Sequence, residues 1–64
     1  MQNPSPADEA SETVGEVAAL YLGNILFALE ACARGLDAEG KEDHAAFYRG
    51  IGRKLAEARG REKR

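Results

Sequence analysis

Residues 17–33 read VAALYLGNILFALEACA, and within this run only Asn24 and Glu30 are strongly polar. Placed at 100° per residue, Glu16, Gly23, Glu30 and Arg34 fall on one narrow line. Val14, Ala18, Tyr21, Leu22, Ile25, Leu26, Leu29 and Cys32 lie opposite, and Val17, Leu20, Phe27 and Ala31 fill a further sector. The apolar arc spans roughly 260°, against somewhat over 100° for a helix packed on one neighbour. Such a helix needs cover on more than one side.

Working outward, the chain offers one further apolar segment. His44, Phe47, Tyr48, Ile51, Leu55 and Ala58 make a single stripe, with Arg49, Arg53, Glu57 and Arg64 behind it. That stripe covers one side of helix one and leaves the other bare. The expected fold is therefore all-α: an antiparallel helical hairpin that homodimerises into a four-helix bundle, helix one central and helix two flanking.

The expected boundaries follow from capping and turn chemistry. Residues 1–7, with Pro4, Ser5 and Pro6, read as a disordered lead, residues 8–60 as the hairpin and residues 61–64 as a basic tail. Helix one is expected at about 8–35, with Asp8 or Ser11 as N-cap and an acidic start at Asp8, Glu9, Glu12 and Glu16. Arg34, Gly35 and Leu36 read as its Schellman-type stop, with Gly35 at C′ and Leu36 at C″. Helix two is expected at about 38–60. Either Asp37 caps an early start or Asp43 a later one, and the sequence leaves both open. Gly50 and Gly52 inside helix two each cost about 1 kcal/mol relative to alanine. They either admit bulky groups such as Leu22, Leu26 or Phe27 or, for Gly50, merely face solvent. The chain has no internal repeat, and one hairpin falls short of a solenoid, which needs about three units.

With 64 residues, a single domain buries only about 60 % of the surface of its unfolded chain. One cysteine excludes an intramolecular disulfide, and one histidine with one cysteine is too few for a four-ligand zinc site. Oligomerisation is the remaining route to stability. Helix one is too short and too interrupted for a membrane span of about 20 apolar residues. No cationic leader with a cleavage pattern precedes it. The sequence points to a soluble, cytoplasmic protein without a membrane partner, in which Cys32 is a reduced, packed thiol.

Charge is segregated. Residues 1–33 hold five acids and no Lys or Arg, whereas residues 44–64 hold seven bases against Glu57 and Glu62. In a hairpin the two ends meet, so the asymmetry is satisfied internally, by exposed pairs contributing about 0 to 1 kcal/mol each. A cationic strip of Arg49, Arg53 and Lys54 on the outer face is the alternative, a nucleic-acid or acidic-partner contact doubled by dimerisation. The net charge of −2 opposes that reading.

No catalytic constellation, phosphate loop or metal spacing is present. His44 and Cys32 lack a third orienting group and a pocket. The sequence thus predicts neither an enzyme nor a cofactor. The expected working surface, for a second copy or another protein, is Val17, Leu20, Asn24, Phe27 and Ala31. Asn24 there either fixes register as a buried polar residue or faces water at the edge of the arc. The expected function is a small protein-interaction module, a regulator, antiactivator or adaptor. A nucleic-acid-binding dimer and a structural subunit of a hetero-complex are the alternatives.

Overall fold

The computed structural model describes residues 12–62, and the expected lead over 1–7, the caps Asp8 and Ser11, and Lys63 and Arg64 of the tail lie outside them. The described residues are all-α, with no sheet. They form three helices: α1 (Val14–Leu20), α2 (Leu22–Ala38) and α3 (Glu42–Glu62).

Helix α1 starts on a capping box. Thr13 is extended, its hydroxyl accepts from the Glu16 N–H at 3.0 Å, and its own N–H donates to Glu16 Oε1 at 3.0 Å. The T-x-x-E spacing satisfies two otherwise orphaned donors and places an acid at the positive end of the helix.

The single helix expected at about 8–35 is two helices. They meet at Tyr21, where φ −106° and ψ 22° leave the helical range, and the axis bends by 79°. Backbone bonding is opened only locally: the Tyr21 N–H reaches Val17 O at 3.1 Å, and Tyr21 O accepts from the Ile25 N–H at 2.9 Å. Gly23 and Asn24 just beyond are exposed, so the freed N–H groups at the start of α2 meet water. The bend is accommodated by small residues. Gly15, Ala18 and Ala19 of α1 face Leu55 and Ala58 of α3 across a cleft of about 90 Å³. No single described helix is long and apolar enough to cross a membrane; α1 and α2 reach that length and composition only as a bent pair.

Gly35 does not end α2. The helix runs on to Ala38, and the stop lies at Gly40, whose φ of +81° is the one positive value among the described residues. The Lys41 N–H donates to Leu36 O at 2.8 Å and the Gly40 N–H to Asp37 O at 2.9 Å, the paired bonds of a Schellman motif. Two side chains favour the later stop: Leu36 is half-buried, and Asp37 pairs with Arg49.

Helix α3 opens at Glu42, later than residue 38, and neither aspartate acts as expected. Asp37 stays in α2, and Asp43 lies within the first turn of α3. The helix also continues through Gly60 to Glu62, where Arg59 and Glu62 pair at 3.3 Å. Acids in its first turn and Arg59 and Arg61 in its last match the helix dipole.

Helices α2 and α3 pack on each other, and only Ala33 and Ala45 are fully buried among the described residues. The face α3 turns to α2 differs from the expected stripe. His44 and Phe47 are exposed, while Ala45, Tyr48, Arg49, Gly52 and Leu55 are buried or half-buried. Gly52 accounts for that rotation: a Cβ there would lie 3.4 Å from Leu26 Cδ2 and 3.7 Å from Leu29 Cδ1, so the backbone of α3 sits directly on two leucines. Gly50 has nothing within 4 Å of its virtual Cβ, which makes it the solvent-facing glycine of the pair. The molecule measures 46 × 36 × 15 Å.

Candidate interaction surface

All five residues expected at the working surface are exposed: Val17 and Leu20 on α1, Asn24, Phe27 and Ala31 on α2. The bend at Tyr21 separates the first two from the other three, so they do not form the unbroken line that a straight helix would give. Asn24 takes its water-facing alternative within the chain. Several large apolar side chains stand exposed, with Val14 87 %, Phe27 76 %, Leu20 73 % and Phe47 63 % accessible. Sequence reasoning placed Phe47 in the intrachain stripe and so missed it as surface. Cys32 is exposed as well, where a packed thiol was expected.

The cationic strip is divided. Arg53 and Lys54 are exposed, but Arg49 turns toward α2 and is half-buried. Its Nε donates to Glu30 Oε1 at 3.1 Å, its Nη2 to Glu30 Oε2 at 3.1 Å, and its Nη1 to Asp37 Oδ2 at 2.8 Å. Arg34 adds a longer contact to Glu30 Oε2 at 3.4 Å. Glu30 and Asp37 stand seven residues apart, so they share one line on α2, and a single guanidinium fork spans both. This cluster sets how α3 sits on α2. It also makes the side of the helix pair that carries it polar and wet.

The electrostatics follow from the geometry. Hydrogen bonding from Arg49 holds the Glu30 carboxyl below its usual value of 4.5, with partial burial opposing and the charges of Arg49 and Arg34 assisting. The same bonds raise Arg49 further above its already high value. Because the Glu30 pKa in the folded chain lies below its unfolded value, the pairing stabilises the fold fully above about pH 4.5. It is lost as the pH falls through the lower, folded value. Titration from pH 7 to pH 2, followed by far-UV circular dichroism during thermal melts, should show a falling melting temperature below pH 4.5. In Glu30→Gln that acid-dependent component should shrink, and an unchanged acid profile would separate Glu30 from the stability of the helix pair.

His44 is exposed at the start of α3, and no group of three or more His, Cys, Asp or Glu side chains among the described residues could hold a metal ion. No protein-family model, curated protein or solved structure matches this chain. The functional reading therefore rests on the surface itself: a small all-helical domain with an exposed apolar surface.

Proposed function

We propose that this chain is a small protein-interaction module, a cytoplasmic regulator, antiactivator or adaptor that works by binding and performs no catalysis. One observation carries the reading. Only two alanines are fully buried among the described residues, while Val14, Leu20, Phe27 and Phe47 stand exposed. Stable domains bury their apolar faces between at least two layers of secondary structure. An apolar surface of this kind on so small a domain is the mark of a protein that is completed by another.

In this reading α2 and α3 form an antiparallel hairpin, and two hairpins pair into a four-helix bundle. The outer side of α2, with Asn24, Phe27 and Ala31, takes an apolar helix face of a different protein, with Leu20 and Val17 of α1 beside it. The nucleic-acid alternative is weaker, because Arg49 is engaged by Glu30 and Asp37 and leaves Arg53 and Lys54 as the outer cations.

The test is a photo-crosslinkable residue in place of Phe27, activated in cells, followed by identification of the adduct. A single recurrent protein other than the chain itself is expected. Phe27→Lys should lower the affinity for that protein at least about 30-fold, the effect of losing a central apolar anchor worth about 2 kcal/mol. Phe27 lies on the surface, so the helicity of the isolated chain should not change. Adducts with water alone would overturn the reading.

A further inference from the structure

We infer that the joint at Tyr21 is a hinge: α1 swings from its bent position into line with α2, and only the straightened helix presents Val17, Leu20, Asn24, Phe27 and Ala31 as one unbroken seam. The inference rests on the proposed function and supplies the regulation of that same surface, the bent form being the closed one.

Spacing is the first observation. The five residues follow one another at intervals of three, four, three and four, which are the a and d positions of a heptad. On a straight helix they fill a stripe about 80° wide. It lies on the side of α2 away from Ala33, which is buried, and from Leu26 and Leu29, which meet Gly52 of α3. A partner helix with the same repeat takes such a seam along its whole length, and Asn24 at a central a position sets its register. The bend of 79° interrupts the seam between Leu20 and Asn24.

The second observation is how little holds the bend. The joint contains no proline, and no side chain caps the start of α2 at Tyr21. Among the described residues no ion pair or side-chain hydrogen bond joins α1 to α3, and no residue of α1 is fully buried. The corner also stands open, as a groove of about 460 Å³ lined by Val14, Val17, Ala18 and Ile25. Straightening turns ψ of Tyr21 from 22° to about −42°. It gives the N–H groups at the start of α2 carbonyl acceptors in α1 in place of water.

The third is a track for the straight form. Leu26 on Gly52 and Glu30 on Arg49 set the register of the antiparallel pair. Continued past Leu22, that register brings Ala58 level with Leu20 and Glu62 level with Glu16. On a straight helix Gly15, Ala18 and Ala19 fall on the same side as Leu22 and Leu26. The small residues that face Leu55 and Ala58 in the bent form therefore face the end of α3 in the straight form too. The swing exchanges one shallow apolar contact for another.

Two measurements test the hinge and its use. Cys32 is the one cysteine of the chain, and residue 14 stands five turns before it on the same line of a straight helix. Spin labels on Cys32 and on Val14→Cys would sit on backbone positions about 27 Å apart when the helix is straight, and about 6 Å closer across the bend. Dipolar spectroscopy should resolve both separations in the isolated chain, with the shorter dominant. Gly23→Ala should move the ratio about threefold or more toward the longer, because residue 23 is interior only in the straight helix and its virtual Cβ meets nothing within 4 Å. Gly23→Pro should leave the shorter separation alone with its circular dichroism kept, since proline is tolerated in a first turn and clashes with the carbonyl four residues back in a helix interior. In cells, photo-crosslinkers placed in turn at Val17 and Phe27 should label one helix of one protein at positions about ten residues apart. Gly23→Pro should lower both yields at least 10-fold. A single short separation in both the wild type and Gly23→Ala overturns the hinge, whatever Phe27 captures. Phe27 adducts with no Val17 adduct on the same helix overturn the assembled seam alone. No protein adduct at Phe27 overturns the module reading and this inference with it.

Discussion

Replacing Gly52 with leucine should lower the melting temperature by about 10 °C or more, whereas alanine at the same position should raise it by several degrees. The difference rests on two distances. A Cβ at Gly52 meets Leu26 Cδ2 at 3.4 Å and Leu29 Cδ1 at 3.7 Å, which is ordinary van der Waals contact. Alanine therefore fits without displacing either leucine and gains up to about 1 kcal/mol of helix propensity. Leucine adds three more carbons where two leucine side chains already stand. Either their rotamers distort or α3 lifts off α2, at a cost of about 1–3 kcal/mol. A domain of this size holds roughly 3–10 kcal/mol in total, and 1 kcal/mol moves its melting temperature by about 4–8 °C. Thermal melts by circular dichroism decide the matter, and a leucine variant as stable as the wild type would show that α2 and α3 do not meet at Gly52.

The second large effect is expected at Gly40. Its φ of +81° lies in the region where an L side chain crowds its own carbonyl, at about 1–2 kcal/mol, and a β-branched residue crowds it further. The Schellman bonds from Gly40 to Asp37 and from Lys41 to Leu36 depend on that conformation. Gly40→Val should therefore destabilise the chain by about 2 kcal/mol or more, and Gly40→Asn by clearly less, because asparagine tolerates the left-handed region. Gly35→Ala should do the opposite. Gly35 is helical, with nothing within 4 Å of its virtual Cβ, so alanine gains up to about 1 kcal/mol. Melting temperatures in the order Gly35→Ala, wild type, Gly40→Asn, Gly40→Val would establish where α2 ends. The reverse order for the two glycines would put the stop at Gly35.

The contrast between these glycines shows what could be read from the chain and why. That the described residues are helical follows from apolar spacing alone, but the start of α1 does not: the expected caps were Asp8 and Ser11, and the T-x-x-E capping box of Thr13 and Glu16 was passed over. Gly35 followed by Leu36 has the local signature of a stop as fully as Gly40 does. The choice is made by contacts from α3, through Asp37 to Arg49 and through the half-buried Leu36, which no window around residue 35 contains. The break at Tyr21 has no proline and no local cap to announce it; it goes with the facing of α1 small residues and Leu55 and Ala58, more than thirty positions on.

For the candidate surface the same division holds. The exposure of Leu20, Phe27 and Ala31 follows from an arc too wide for one neighbour, and that excess was visible on the wheel. The placement of Arg49 was not. Glu30 lies on the one polar line of its helix, and a polar line is ordinarily read as facing water. Here the line is turned partly toward α3, because a guanidinium fork satisfies Glu30 and Asp37 together. That rotation goes with the outward turn of Phe47, which the hydrophobic stripe had assigned to the interior.

The connection through Gly40 also has a kinetic consequence. Only residues 39–41 separate α2 from α3, so the contacts that join these helices are close in sequence near the turn and can form outward from it. Chains dominated by such local contacts fold in microseconds to milliseconds. The partner encounter proposed above is a second-order event, and at low concentration it is far slower. On the proposed function, a newly made chain brings its helix pair already formed to that encounter, and the concentration of the two partners, rather than the rate of folding, sets when the complex appears.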